Sequence, residues 1–322
     1  MILKEKLFID TQSCGLTNID FNLQKNILAN NGDDGIQLWD INTGQQIVIS
    51  SSNSFSYFAF SPDGNLLAID NYRCINLWNL NTKKNIKNIL SSHSNYVSFS
   101  PNGYILASCQ ASSSEVNLWQ VSSGRKIITL KPVSQYSEEV FGVAFKPNGK
   151  TIACYGDSYY KQGKIWLWEV YTGKLIRTIT TYGGLDEYWW VSNVSFNHDG
   201  SIIAGCSCGY KVFDLWNVDN GEKLITFRGH SCNIKTISFH PSGKIIASGG
   251  GDEIKLWDVK TAKEICHIET NIENITSIKF SPDGRLLAGA SNDGIIKIWH
   301  GNLPHAFRDN ILSVTKKQSF TK

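Results

Sequence analysis

The sequence predicts an all-β fold in which seven small four-stranded antiparallel sheets stand in a ring. Three observations carry that expectation. A tryptophan preceded by an apolar residue recurs seven times, in IQLWD (Trp39), INLWN (Trp78), VNLWQ (Trp119), IWLWE (Trp168), FDLWN (Trp216), IKLWD (Trp257) and IKIWH (Trp299). The steps between these tryptophans are 39, 41, 49, 48, 41 and 42 residues, the period of a repeat architecture. From the second copy onward a phenylalanine-led turn lies upstream of each: FSPDG (60–64), FSPNG (99–103), FKPNG (145–149), FNHDG (196–200), FHPSG (239–243) and FSPDG (280–284).

Each element of the unit has a physical reason. An alternating strand ends in Phe, and the turn that follows has Pro, with its fixed φ, at the second position and Gly, free to take positive φ, at the close. A short apolar strand comes next, such as KIIAS or RLLAG, then a variable turn and the strand that ends in Trp. TGK- or SGR-like residues start another hairpin into a fourth strand such as KLIRTI. No candidate helix lies between the units. The first copy has only FNLQK (21–25), without its Gly. One such sheet has two apolar faces and cannot bury both alone; seven in a ring bury them against one another.

The chain resembles the WD40 repeat family, and the likeness recurs in phase along essentially its full length. That resemblance implies a seven-bladed β-propeller closed by strand sharing, the N-terminal strand completing the last blade. Residues 2–10 fit that part, giving a propeller over residues 1–302 and a tail over residues 303–322. The tail is the rival for the closing position, but Leu303-Pro304 and KKQSFTK make a poor strand. Closure removes the edge that a linear array leaves open. The resemblance also implies an internal hydrogen-bond set: His230, Ser248, Asp252 and Trp257 in the sixth copy, and His93, Ser108 and Trp119 in the third. Asp252 stands one residue closer to its Trp than the family pattern has it. These residues are read as scaffold rather than as a catalytic cluster.

The remaining features narrow the function classes. A net charge of +3, from 31 basic and 28 acidic residues, gives no reason to expect nucleic acid or a membrane surface as the main partner. Of eight cysteines, Cys109, Cys154 and Cys206 sit in apolar strand-like runs, as expected of free thiols in a reducing compartment. The opening MILKEKLFID is not a signal peptide, and no run approaches the roughly 18 apolar residues of a membrane helix. The chain therefore reads as cytoplasmic. The seven histidines have no zinc-site spacing, there is no GxSxG elbow, and SGGGDE (248–253) lacks the Lys-Ser or Lys-Thr of a phosphate loop. No enzyme activity, cofactor or metal is expected. The alternative is a small-molecule or hydrolytic site in the central channel. A sugar- or phosphopeptide-binding module is a third reading, and for phosphate the arginines are too widely spread.

Extra residues gather in one region. KPVSQYSEEV (131–140), GDSYYKQGK (156–164) and TYGGLDEYWWVS (181–192) read as long loops in and around the fourth unit. Strand alternation places all three on one rim of the ring. They carry Tyr136, Tyr159, Tyr160, Tyr182, Tyr188 and Trp189, with Glu138, Glu139, Asp157, Asp186 and Glu187 around them. Tyr and Trp offer large contact area with few rotors to freeze. Two readings stand side by side: a partner-binding patch, or a satellite cluster in which the aromatics pack on one another. Trp166 and Trp190 are expected to be packing residues by strand alternation. The leading function is a non-enzymatic interaction platform for a protein or peptide bearing Lys or Arg, acting in trans with a signalling or catalytic protein.

Overall fold

A computed structural model describes residues 3–47, 57–71, 74–91, 96–110, 114–132, 138–158, 162–181, 191–207 and 209–301. Within them the chain forms seven sheets, each of four antiparallel strands, called blades 1 to 7 in chain order. Blade 1 runs from the axis outward as Ile19–Asn22, Ile27–Gly32, Gly35–Asp40 and Gln46–Ile47. The innermost strands of blades 2 to 6 are Phe58–Phe60, Tyr96–Phe99, Glu138–Phe145, Val191–Phe196 and Thr236–Phe239. Blade 7 begins with Ile275–Phe280. Neighbouring inner strands pack side by side, and Ile19–Asn22 meets both Phe58–Phe60 and Ile275–Phe280, so the ring is closed.

Closure comes from the N-terminal strand. Leu3–Asp10 pairs antiparallel with Ile295–Gly301, in a register from Leu3 opposite Gly301 to Asp10 opposite Ile295. It is the outermost strand of the sheet whose other members are Ile275–Phe280 and Leu286–Ser291. Pairing the first and last segments couples the two ends of the chain, and the backbone edge of Ile295–Gly301 is covered. Residues 302–322, which include the expected tail, lie outside the described residues.

The core is divided among the interfaces between blades. One cluster joins Phe21, Leu28 and Trp39 of blade 1 to Ala288, Ile296 and Ile298 of blade 7. Another joins Ala107, Val116 and Leu118 of blade 3 to Val143, Trp166 and Trp168 of blade 4. The second strand of each blade is sandwiched on both sides, which is why it reads as a short continuous apolar run; Ile245–Gly250 is buried throughout. Trp166 is 2% exposed and is a packing residue, as its alternation with Trp168 predicts. In blade 1 the turn without Gly becomes a single 3-10 turn over Leu23–Lys25, and Asn26 takes the left-handed φ of 54° that Gly supplies elsewhere.

The hydrogen-bond set behind the repeated tryptophan is complete in blade 6, with one substitution of role. Trp257 Nε1 donates to Ser248 Oγ at 2.7 Å, and Ser248 Oγ bonds His230 Nε2 at 2.6 Å. The carboxylate that completes it is Glu253, whose Oε1 lies 2.9 Å from His230 Nδ1, and not Asp252. Asp252 is exposed, and its carbonyl accepts from the Thr270 N–H and hydroxyl. The tight turn at Gly251, φ 59°, thus spends the Asp252 backbone on the neighbouring strand, and the longer Glu253 side chain reaches back to the histidine. In blade 3 Trp119 Nε1 donates to Ser108 Oγ at 2.9 Å; His93 lies outside the described residues.

Blades differ at the position that faces the indole N–H. Asn30 supplies the acceptor for Trp39 at 2.6 Å. Ile69 and Cys154 occupy the equivalent place in blades 2 and 4, and the Trp78 and Trp168 N–H groups are buried without a partner. Gly205 and Gly289 occupy it in blades 5 and 7, where an added Cβ would meet the Trp216 or Trp299 ring at 3.0 and 3.1 Å. There the glycine makes room for the indole itself.

Candidate functional site

Blade 4 is where the repeat lengthens, and among the described residues its extra length is strand. Glu138–Phe145, Thr151–Ser158 and Gln162–Glu169 each run to eight residues. Residues 138–140, 156–158 and 162–164, expected as loop, are paired strand instead. The alternation of 156–164 is compatible with a hairpin that simply continues, and cross-strand pairing satisfies its backbone better than water does at a crowded rim. Glu138 lies opposite Ser158, Ser158 opposite Gln162, and Lys164 opposite Thr180, so all of these ends meet at one rim.

On that rim Glu138 is not an exposed acid. It is 5% exposed, and its Oε1 accepts from Lys164 Nζ at 2.7 Å, while its Oε2 is buried without a partner. The exposed carboxylate is its neighbour Glu139, which stands opposite Asp157. Burial, followed by the Glu139 charge, pushes the Asp157 carboxyl up to about 6. Tyr136, Tyr159, Tyr160, Tyr182, Asp186, Glu187, Tyr188 and Trp189 lie outside the described residues, as does Trp190.

The same end of the ring holds a feature that the repeat pattern did not announce. A cavity of about 180 Å³ opens at the N-terminal ends of the inner strands, where the central channel begins. Its wall is divided in two. Blades 2 to 4 contribute Tyr57, Tyr96, Phe141 and Tyr155. Tyr57 and Tyr96 have ring centroids 5.3 Å apart, and Tyr96 and Tyr155 meet edge to face at 6.5 Å. Tyr155 belongs to the second strand of its blade, yet it reaches the channel because Gly142 leaves the way clear: a Cβ there would sit 2.2 Å from the Tyr155 hydroxyl. Burial holds the Tyr57 and Tyr96 phenols above their ordinary value, so they are neutral.

Blades 5 to 7 line the other half with Asn193, Thr236, Ser277 and Lys235. The first three also tie the ring together. Ile237 N donates to Asn193 Oδ1 at 3.2 Å, Ile278 N to Thr236 Oγ1 at 3.1 Å, and Ile19 N to Ser277 Oγ at 3.3 Å. One layer deeper, Phe239 N and Phe280 N donate to Ser195 and Ser238 in the same manner. Side chains of the inner strands of blades 5, 6 and 7 therefore satisfy the free backbone edge of the next. The signal was present in the sequence, three residues before each blade's Phe: Asn18, Tyr57, Tyr96, Gly142, Asn193, Thr236 and Ser277.

A Ser–His–carboxylate chain exists in Ser248, His230 and Glu253, but its geometry is that of a strut. Ser248 is fully buried and its oxygen is held by Trp257. Among the described residues no group of three or more His, Cys, Asp or Glu side chains could hold a metal ion.

Three segments, residues 84–120, 221–258 and 263–300, match the WD domain, G-beta repeat family. The transcriptional corepressor LEUNIG_HOMOLOG of Arabidopsis thaliana is 25% identical over 145 residues, 44% of this chain and 16% of that protein. The periodic tryptophan protein 2 homolog of Schizosaccharomyces pombe is 31% identical over 104 residues, 32% of this chain and 11% of the relative. The WD repeat and SOCS box-containing protein 1 of Homo sapiens is 32% identical over 89 residues, 27% of this chain and 20% of the relative. The matches span no more than a fifth of the length of these three relatives. With seven blades, strand-shared closure and the repeated tryptophan on the page, the chain is a seven-bladed β-propeller built from WD40 repeats.

Proposed function

We propose that the rim of blades 4 and 5 is the partner-binding face of this scaffold, and that it takes a protein or peptide segment carrying Lys or Arg. The observation that carries this reading is the carboxylate pair Glu139 and Asp157 on the lengthened strands of blade 4. Two acids facing each other, one of them raised to about 6, gain when a cation arrives between them. The sequence adds Tyr136, Tyr159, Tyr160, Tyr182, Asp186, Glu187, Tyr188 and Trp189 nearby; this aromatic and acidic composition suits a basic segment, with cation–π contacts. A stiff ring limits the entropy lost on binding, so the platform acts by positioning its partner. In this reading the platform acts in trans with a signalling or catalytic protein. No disulfide joins the seven cysteines among the described residues, which supports a reducing, cytoplasmic setting.

The test is affinity capture from cell extract with the wild-type chain and two variants, one with Tyr159, Tyr160 and Trp189 all changed to Ala, the other Glu139→Gln with Asp157→Asn. Both are expected to weaken capture of the same salt-sensitive partner by tenfold or more while the melting temperature is maintained. Unchanged capture by both variants rejects this face. A large fall in melting temperature for the aromatic variant alone assigns those side chains to packing.

A further inference from the structure

The mouth of the central channel has a chemistry distinct from the acidic rim. Around its wall the polar side chains have already accepted hydrogen bonds. Asn193, Thr236 and Ser277 accept from the backbone N–H of the next blade. The Tyr57 hydroxyl neighbours Thr17, and that of Tyr96 neighbours Tyr155. Each nevertheless carries hydrogens of its own: the Asn193 amide pair and the hydroxyls of Thr236, Ser277, Tyr57 and Tyr96. Lys235 adds an ammonium group that spends one bond on Asn274 Oδ1 at 3.0 Å. These side chains therefore offer donor hydrogens beside one positive charge, while Ser192 and Thr276, whose hydroxyls donate to the Cys206 and Ala290 carbonyls, line the remaining wall. One layer deeper stands Asp20, whose carboxyl burial raises against the opposing pull of Lys279, and which lies close enough to act on the Tyr96 phenol.

Opposite this donor arc stand three flat tyrosine rings and Phe141. A ligand that satisfies both halves needs an acceptor-rich, anionic head and a flat apolar body, within a cavity of about 180 Å³. A neutral sugar ring fits less well, because it brings no charge to meet Lys235. A cation would forgo the donor arc and meet Lys235.

We propose that the channel mouth is a binding site for a small flat carboxylate, either a free metabolite or the carboxylate-bearing end of a larger molecule, with its head on Lys235, Asn193 and Thr236 and its body against Tyr57, Tyr96 and Tyr155. The site is independent of the basic-segment reading of the rim.

The test uses saturation-transfer NMR on the full chain with three probes of similar size: phenylacetate, benzylammonium and benzyl alcohol. Phenylacetate is expected to bind, with benzyl alcohol about tenfold weaker for want of the charge-assisted bonds. Lys235→Met should weaken phenylacetate about tenfold, and Tyr57→Leu, which keeps apolar volume but removes the flat face, by several-fold. The first variant alters a half-exposed side chain, so it keeps the test valid if the second does not fold. Absence of phenylacetate binding, binding that neither variant changes, or benzylammonium binding as well as phenylacetate would each overturn the proposal. To separate the two sources, a short peptide ending in a free C-terminal phenylalanine is compared with free phenylacetate. Competition between them places both in this site, and failure of the peptide to compete leaves the free molecule as the ligand class. Rim variants Glu139→Gln and Asp157→Asn are expected to leave phenylacetate binding in place, so this result and the rim result can fail separately.

Discussion

Replacing Ser248 by Ala removes one oxygen atom from the centre of the blade 6 strut, and the structure sets what that should cost. Ser248 is fully buried; its Oγ accepts from Trp257 Nε1 at 2.7 Å and bonds His230 Nε2 at 2.6 Å. Burial holds His230 below its ordinary value against the pull of Glu253, so the ring is neutral. The consistent proton arrangement has Nδ1–H donating to Glu253 and Nε2 accepting from the serine hydroxyl. The substitution leaves an indole N–H and an imidazole nitrogen buried without partners, at about 1–3 kcal/mol each. A combined loss of about 2–6 kcal/mol corresponds to a fall in Tm of roughly 3–9 °C, taking about 2.1 cal/mol/K per residue for the unfolding entropy. Thermal and urea unfolding followed by circular dichroism and tryptophan fluorescence measure it. Adding Trp257→Phe should cost less in the Ser248→Ala background than in the wild type, since the orphaned donor is already lost there. A change under 1 °C, or strict additivity of the two substitutions, would refute the strut.

Two further outcomes follow from the same chemistry. Cys154→Ser places a hydroxyl where blade 6 has Ser248, so Trp168 Nε1 gains an acceptor and stability should rise by about 1 kcal/mol, read as a higher urea midpoint; no rise, or a fall, contradicts the assignment of Trp168 as an orphan. Acid should destabilise the fold from near neutrality: His230 and His240 both sit below 6.5, chiefly through burial, so the unfolded chain binds more protons and their contribution is lost as pH falls below 6.5. Asp157 has the opposite sign, since it is raised from 3.8 to about 6, and Asp157→Asn should therefore stabilise at pH 7 and not at pH 3.5. Urea midpoints across pH 3.5 to 7.5 on the wild type and this variant separate the two, and a variant without gain at pH 7 would dismiss the cost of the buried Asp157 charge beside Glu139.

Much of the architecture was legible because each blade repeats the same local solution. The Phe-led turn, the continuous apolar second strand and the Trp-ending third strand are properties of short segments, and their phase of about 42 residues dictates a ring. The N-terminal closing strand was legible too, since Leu303-Pro304 and KKQSFTK compose a poor strand while residues 2–10 suit one, and Leu3–Asp10 pairs with Ile295–Gly301. The acid of the blade 6 strut was not. Asp252 and Glu253 are neighbours, and which of them reaches His230 depends on how the turn at Gly251 aims two adjacent side chains. Glu138 and Glu139 pose the same problem on the blade 4 rim. Successive strand residues point to opposite faces, and one acid went inward to Lys164 while the other stayed exposed. Their assignment needs the register, and the bulge between Val140 and Gly142 shows that the register is not uniform along the strand.

What the sequence alone determined, then, is the number of blades, their strand order and the location of the lengthened repeat, all of which rest on hydrophobic period and turn chemistry within a few dozen residues. Only the tertiary structure decided what the seven inner strands jointly enclose. Tyr57, Tyr96, Tyr155, Asn193, Thr236 and Ser277 are far apart in the chain and share a wall because ring closure brings one position of every blade to the axis. Tyr155 enters that wall from a second strand only because Gly142 leaves it space. Such a site belongs to the circumference as a whole, and no single repeat contains it.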